Sequence, residues 1–167
     1  TSSTDVDAYG DLYQWGRFSD GHQCRTSDTI AAQLSSTDQP AHGDFILGPN
    51  SPYDWRSPQN DNLWQGVNGI NNPCPSGYRI PTEAELEAER LSWSSNNSSG
   101  ALASPLKLPM AGSRGSHGAL SGASAGGRYW SSTVSGASSG FLGFHSGSAD
   151  VGGNHRAGGY SVRCLKD

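Results

Sequence analysis

The sequence has no long apolar run, no basic cluster and little charge, and each of these shortages excludes a class of function. No stretch of about eighteen apolar residues occurs, so neither a membrane-spanning helix nor direct membrane insertion is predicted. The net charge is −4, and the 11 lysines and arginines are scattered along the chain. Because binding to phosphates needs concentrated positive charge, nucleic acid is not an expected partner.

Cysteine is also scarce, with only Cys24, Cys74 and Cys164 in the chain. None of them has C-x-x-C spacing, which excludes a zinc ribbon or a thioredoxin motif. At most one internal disulfide can form. A bridge between Cys74 and Cys164 would tie the beginning of the main helix to the last strand, whereas buried free thiols in a reducing compartment are the alternative that the sequence leaves open.

Glycine and bulky aromatic residues are plentiful, with 23 glycines, five tryptophans and six tyrosines in 167 residues. A chain of this size can bury a real core, but only 33% of its residues are hydrophobic, so irregular loops are expected to cover much of that core. Residues 39–72 contain four prolines together with Trp55 and Trp64. This segment is predicted to be a long ordered loop that its tryptophans hold in place.

One helix is strongly indicated, over residues 82–93. Thr82 and Glu85 have the spacing of a capping box, and the acidic first turn suits the helix dipole. The apolar residues of this segment are expected to form its buried stripe: Ala84, Leu86, Ala88, Leu91 and Trp93. One or two further helical turns are expected after a cap at Ser27 or Asp28.

The remaining regular structure is predicted to be short strands, at residues 9–17, 106–110, 128–134 and 160–165. The glycine- and serine-rich stretch 112–127 is interpreted as a connection. Helical patterns lie in the first half of the chain and strands in the second, which favours an α+β fold with a small antiparallel sheet, one or two helices and long ordered loops.

The segment 140–152 has the alternation of a β-hairpin. Leu142, Phe144, Ala149 and Val151 point one way at a period of two, and the opposite positions have no uniform chemistry. Ser146-Gly147 is predicted to be the turn, with Gly147 at a positive φ. One face of the hairpin is therefore predicted to be core, and the other is typical of a surface that varies from copy to copy.

Four separated motifs then carry a resemblance: Asp11-Leu-Tyr-Gln-Trp-Gly-Arg, Asn71-Asn-Pro-Cys-Pro-Ser-Gly-Tyr-Arg-Ile-Pro-Thr-Glu-Ala-Glu-Leu, Tyr129-Trp-Ser-Ser-Thr and Ser161-Val-Arg-Cys-Leu-Lys-Asp. Together they resemble the Fibrobacter succinogenes major paralogous domain, and more narrowly the variable proteins of diversity-generating retroelements that carry it. The resemblance spans nearly the whole chain. It implies one domain over residues 1–167, with a C-type-lectin-like fold of the formylglycine-generating-enzyme type.

In such proteins a reverse transcriptase copies a template with errors at adenines, and the copy replaces the end of the gene. The resemblance implies a diversified region at about residues 138–160 in this chain. Asparagine codons of the template are thereby changed into codons for a restricted set of residues, the palette. This palette lacks Lys, Glu, Gln, Met and Trp. Every outward position named here belongs to that palette, and these are the candidate ligand-binding residues: Ser138, Phe141, Gly143, His145, Ser148, Asp150, Gly152, Gly153, Asn154, His155 and Gly158.

The function expected from this resemblance is non-enzymatic ligand binding. A hypervariable surface would recognise a protein or glycan on a cell surface, for adhesion or for attachment of a phage to its host, and the protein would reside on a virion or a cell surface. The alternative is a surface or secreted lectin-like domain with a fixed glycan or protein ligand.

A metal site or an enzyme is the remaining alternative. His145, Asp150 and His155 are residue types that suit zinc, but diversification explains them equally well, and no carboxylate cluster near the hairpin supplies the oxygens that calcium needs. An oxidase-like enzyme would need a reactive cysteine pair, whereas Cys74 and Cys164 lie within motifs that the binding proteins share. No cofactor, metal or catalytic residue is therefore expected.

Overall fold

The computed structural model describes residues 2–31 and 33–167 and, within them, shows a small α+β protein made mostly of sheet with two α-helices. After a 3₁₀ helix at Val6–Ala8, the elements in chain order are β1 (Tyr13–Gln14), β2 (Thr29–Ile30), β3 (Phe45–Ile46), β4 (Tyr78–Arg79), α1 (Glu83–Leu91), α2 (Ser98–Ala103), β5 (Ala111–Arg114), β6 (Leu120–Ala123), β7 (Gly126–Ser135), β8 (Ser138–His145), β9 (Ala149–His155), β10 (Gly159–Tyr160) and β11 (Leu165–Lys166).

Seven of the described strands form the main sheet: six have the order β1-β10-β5-β7-β8-β9, and β6 pairs with β5 off this path. All of its pairings are antiparallel except the one between β5 and β7, where Gly112 lies opposite Gly127. The long strands β7, β8 and β9 follow one another as a meander. The prediction of a small antiparallel sheet is confirmed in this form.

One face of β7–β9 is covered by the two helices. Leu142 and Phe144 of β8 and Ala149 of β9 are buried there. They belong to a cluster that also contains Tyr129, Leu86, Ala101, Leu108 and Met110, with Val151 partly buried against it. The predicted core face of the hairpin is thus the face that packs against the helices.

A second core, rich in tryptophan, lies on the other side of the sheet. Trp15, Trp55, Trp64 and Trp130 have no exposed surface, and each donates its indole N–H to a backbone carbonyl oxygen at 2.7 to 2.9 Å. A buried indole needs such a partner, and the bond also fixes the ring's orientation. Trp55 and Trp64 therefore hold the long loop 39–72 in place, as predicted.

The helix α1 begins as predicted, but its buried stripe is much narrower. Thr82 accepts from the backbone N–H of Glu85, and the Glu85 side chain caps in return. Leu86 is buried, whereas Leu91 is 68% exposed and Ala84 and Ala88 are also exposed. Positions five residues apart are about 140° apart around a helix, so Leu86 and Leu91 cannot both face one narrow contact.

Several short elements differ from their predictions. Residues 27–31 contain no helix; Phe45 donates its N–H to the carbonyl of Asp28, and Ile30 pairs with β3, so parallel strand pairing replaces the helical bonds. The strand expected over residues 9–17 is only Tyr13–Gln14. Residues 106–110 contain no strand, and the supposed connection 112–127 holds the β5–β6 hairpin instead.

The second helix, α2, begins within the serine- and asparagine-rich stretch that follows the first helix. Asn97 caps it, because its side-chain oxygen accepts from the backbone N–H groups of Ser99 and Gly100. Polar residues that stop one helix thus also begin the next.

The cysteine alternatives are resolved by the structure. Cys74 and Cys164 form a disulfide, close to the small β4–β11 sheet, and Cys24 is exposed and unpaired. None of the helices in the described residues is long and apolar enough to cross a membrane.

Candidate ligand-binding surface

The face of β7–β9 that points away from the helices is only partly covered. In the antiparallel register its side chains form three rows across the strands: Trp130 with Phe141 and Gly152, Arg128 with Gly143 and Asp150, and Gly126 with His145 and Ser148. The first row is covered by the tryptophan-rich core. The other two rows lie beyond the end of that core and border an open cleft.

The cleft has a volume of about 430 Å³, within the range of small-molecule sites. Its walls come from the β5–β6 and β8–β9 hairpins, and the beginning of β7 lies between them. It is lined by Gly112, Ser113, Ser121, Gly122, Gly126, Gly127, Arg128, Phe141, Gly143, Phe144, His145, Ser148 and Asp150. Five of the predicted binding residues are brought together here.

Glycine is required where the two strands of the β5–β6 wall approach each other. Gly112 has a φ of +71°, and a Cβ atom there would lie 2.5 Å from the carbonyl oxygen of Ser121 and 2.6 Å from the nitrogen of Ala123. Side chains other than hydrogen are excluded by both the backbone conformation and the contact. Arg114 on β5 stabilises this wall, because its guanidinium donates hydrogen bonds to Gly118 in the connection to β6 and to Ser27.

Phe141 marks the boundary between the tryptophan-rich core and the cleft. Its ring contacts Trp130 edge-on, with 6.4 Å between centroids, and contacts Tyr160 at 5.3 Å. A Cβ atom on Gly143 would meet the Phe141 ring at 2.9 Å and Oδ1 of Asp150 at 3.6 Å. Phe141 is therefore a partly buried wall rather than a freely displayed side chain, and Gly143 is the floor beneath it.

The two charged side chains of the cleft stand on either side of Gly143. Asp150 is exposed and makes no hydrogen bond or ion pair with any described residue. Arg128 is likewise exposed and forms no ion pair there; one guanidinium nitrogen donates to Oγ of Ser113 at 3.3 Å, and the guanidinium lies 5.5 Å from the Tyr160 ring. The charge of Asp150 also acts on Arg90 of α1, but the Arg90 guanidinium is held in an ion pair by Glu87.

The hairpin turn fixes the His145 ring. The backbone N–H of Gly147 donates to Nδ1 of His145 at 3.0 Å, so Nδ1 is unprotonated in this arrangement. The proton of the neutral ring is then on Nε2, which donates to the Ser148 hydroxyl at 3.0 Å. Ser146-Gly147 is the turn as predicted, but Gly147 is not at a positive φ; its N–H instead closes the turn by donating to Nδ1 of His145.

A second, smaller cleft of about 140 Å³ adjoins the first at Arg128, which lines both. Asn154, His155 and Gly158 from the predicted set line it, and Asn154 donates a hydrogen bond to the Tyr160 hydroxyl. Burial raises the pKa of Tyr160, against the opposing effect of Arg128. The hydroxyl is therefore held protonated at the edge of this second cleft.

Three of the predicted residues belong to the opposite face by register. Ser138 pairs with His155, and Gly153 pairs with Gly140, in the alternating set that includes Leu142. The His155 ring stacks on Tyr53 with 4.3 Å between centroids. One continuous alternation would place all of β9's candidates on a single face only if they were all two residues apart, which Gly152, Gly153 and Asn154 are not.

The residues considered as a zinc site do not converge. His145 and Asp150 border the cleft, whereas His155 stacks on Tyr53 elsewhere. Over residues 2–31 and 33–167, no group of three or more His, Cys, Asp and Glu side chains is arranged so that it could hold a metal ion.

Sequence reasoning missed Arg128 and the strands of the β5–β6 wall, although the sequence offers Ser113, Ser116, His117 and Ser121 as a second-ranked extension of the displayed surface. Ser113 and Ser121 do line the cleft. Arg128 could have been found, because it begins the predicted strand 128–134, which overlaps β7, and alternation places it on the face opposite Tyr129. The wall could not, since a stretch as rich in glycine and serine as 112–127 has no periodic apolar signal.

Comparison of the chain with protein-family models, with curated proteins and with solved structures gives no match in any of the three. Function is therefore argued from the site itself.

Proposed function

We propose that this chain is a non-enzymatic ligand-binding protein whose C-terminal surface is hypervariable and is diversified by a retroelement. Its ligand would be a protein or a glycan on a cell surface, recognised for adhesion or for attachment to a host. The resemblance of the four motifs to variable proteins of that kind motivates the proposal, and the cleft supplies the place where a ligand would bind.

The observation that carries the proposal is that exposed cleft residues and buried core residues alternate along the β8–β9 hairpin. His145, Ser148 and Asp150 are exposed at the cleft, while Leu142 and Phe144 on the alternate positions are buried against the helices. Exposed substitutions usually change stability by only about 0.5 kcal/mol. Such a hairpin can accept new cleft residues without losing its fold, which is what diversification requires.

The finer fold and the location are part of the same proposal. A C-type-lectin-like arrangement of the formylglycine-generating-enzyme type is compatible with the two helices, the antiparallel sheet and the long tryptophan-anchored loop. The Cys74–Cys164 disulfide is compatible with a virion or cell-surface location, because disulfides persist in oxidising surroundings.

The gene neighbourhood tests diversification directly. We expect a near-duplicate of the DNA that encodes residues 138–160, differing from it at adenines of the template, together with a reverse transcriptase gene. Related isolates should then differ at His145, Ser148 and Asp150 while keeping Leu142 and Phe144. A neighbourhood without the duplicate and the reverse transcriptase would count against diversification.

The alternative is a lectin-like domain of the same fold with a fixed glycan or protein ligand. The hydrogen bond from Gly147 to His145 favours this alternative, because it already orients the His145 ring toward Ser148. Identical cleft residues in all isolates would support this alternative over the first proposal.

A further inference from the structure

The main cleft contains one exposed cation and one exposed anion that do not neutralise each other. Arg128 on β7 and Asp150 on β9 belong to the same cross-strand row, separated by Gly143 on β8. Within the described part of the chain neither side chain has an ion-pair partner. A glycine between two opposite charges leaves space for a group that contacts both.

The strand spacing limits the size of that group. Neighbouring strands lie about 4.8 Å apart, so the backbones of β7 and β9 are about 10 Å apart. The Arg128 guanidinium reaches toward Ser113 on β5, away from β9, so a group that contacts both charges has to extend across Gly143. An amine and a carboxylate joined by a short chain of carbon atoms are a group of this kind.

We propose that the cleft of this chain binds a small zwitterion, with its carboxylate at Arg128 and its ammonium at Asp150. This inference rests on the proposed function, because it assigns a ligand class to the same surface. Opposite charges held apart on a rigid sheet select a ligand whose charges are arranged in the reverse order. A guanidinium and a carboxylate both form charge-assisted hydrogen bonds, which are stronger than neutral ones.

Two further contacts complete the recognition. Because the Ser148 hydroxyl oxygen accepts a hydrogen bond from Nε2 of His145, its own O–H is free to donate to an oxygen of the ligand. The half-buried Phe141 ring covers the carbon chain of the ligand at the side of the tryptophan-rich core. The hydrogen bond from the Gly147 N–H holds the His145 ring in place before the ligand binds, and His145 in turn orients the Ser148 hydroxyl.

The test measures binding of glycine, β-alanine and γ-aminobutyrate to the whole chain by NMR titration. The backbone amides of Arg128, Gly143 and Asp150 report on the cleft. Propionate and propylamine, each of which keeps only one of the two charges, are the matched controls. We expect β-alanine or γ-aminobutyrate to bind with a Kd at least about tenfold lower than either control, because each removes one charge-assisted contact.

Two variants assign the charges. Asp150→Asn is expected to weaken binding of the zwitterion about tenfold while leaving propionate unchanged, and Arg128→Gln is expected to weaken both. Asp7→Asn and Lys166→Gln change exposed charges outside the cleft and serve as controls. Near-identical amide spectra away from the cleft establish that each variant is folded.

Equal affinity for the zwitterion and the singly charged controls would overturn the zwitterion proposal, as would unchanged affinity in both cleft variants. Neither result would touch the proposed function, which depends on the gene neighbourhood and on variation at the cleft. Conversely, a neighbourhood without a retroelement would leave a measured zwitterion site intact, as a fixed ligand site.

Discussion

The two faces of the β8–β9 hairpin have the same backbone, the same register and opposite roles. On the helix side Leu142, Phe144 and Ala149 are buried in a predominantly apolar cluster, in which the Tyr129 hydroxyl donates to the carbonyl oxygen of Pro109. On the cleft side Gly143, His145 and Asp150 occupy the alternating positions, and only Phe141 joins a core. Neighbouring residues in the chain can therefore be under unrelated physical constraints, because a strand sends them to opposite sides.

The two faces differ in what surrounds each side chain. Removing an atom from the helix side leaves a cavity, since the surrounding helices and strands cannot collapse completely. Removing an atom from the cleft side leaves only water in its place. The comparison can be tested by making equivalent changes on the two faces and measuring the free energy of unfolding.

The largest effect is expected from Leu142→Ala. This side chain is fully buried between β8 and the helices, and truncation of a buried leucine costs about 2 to 5 kcal/mol. Urea unfolding followed by tryptophan fluorescence gives the free energy of unfolding. Asp150→Ala, at an exposed position two residues from Ser148 in the turn region, is the matched truncation and is expected to change it by about 0.5 kcal/mol or less.

A smaller loss is expected from adding a methyl group at Gly127, which faces the helix-side core. A Cβ atom there would lie 2.4 Å from Cζ of Phe144 and 2.9 Å from the carbonyl oxygen of Pro109. Overpacking of this kind costs about 1 to 3 kcal/mol, so Gly127→Ala should lower the melting temperature clearly. Gly153→Ala is the control, because its nearest neighbour would be Cβ of Ser138 at an ordinary 3.6 Å. Equal losses in the two variants would contradict this account.

Mild acid should lower the free energy of unfolding through the buried side chain of His22. This ring accepts the backbone N–H of Gln14 on Nε2 and contacts Asp20 through Nδ1, and it has no exposed surface. Burial lowers the pKa of His22 to about 4, against the opposing effect of Asp20. Between pH 6.5 and 4 His22 therefore binds a proton in the unfolded chain but stays neutral in the folded chain. The free energy of unfolding falls as the pH falls through this range.

The measurement is urea unfolding at pH 7 and at about pH 5.5, where a loss of about 1 kcal/mol is expected. His22→Gln should be less stable at both values but should lack the part of the pH dependence that His22 contributes. His145→Gln, at the cleft, should keep that part, because it leaves His22 in place. A wild-type chain that is equally stable at both pH values would show that His22 is not held neutral.

The sequence predicted those elements whose signals are local and strong. The capping box at Thr82 and Glu85, the alternation of Leu142 with Phe144 and the anchoring role of Trp64 are each visible within a few residues. These features depend on side chains that act through their immediate neighbours or through bulk alone.

The rest depends on contacts between distant segments. The second core behind Phe141 brings together Trp130 and Tyr160 from separate strands, 30 residues apart in sequence, and their rings stack at 4.2 Å. The β5–β6 wall of the cleft is specified by the close approach at Gly112, which leaves no periodic pattern. Pairing partners, not local preferences, decide such features.

The smallest effect is expected from replacing several cleft residues at once. The combined variant His145→Asn, Ser148→Asn and Asp150→Ser uses only residues of the diversified palette and touches neither core. Exposed changes cost about 0.5 kcal/mol or less each, although loss of the His145–Ser148 bond makes these two positions non-additive. The combined loss should therefore stay below that of Leu142→Ala alone, measured by the same urea titration. Stability as low as in Leu142→Ala would mean that the cleft residues also hold the sheet together, and the separation between a fixed face and a variable face would fail.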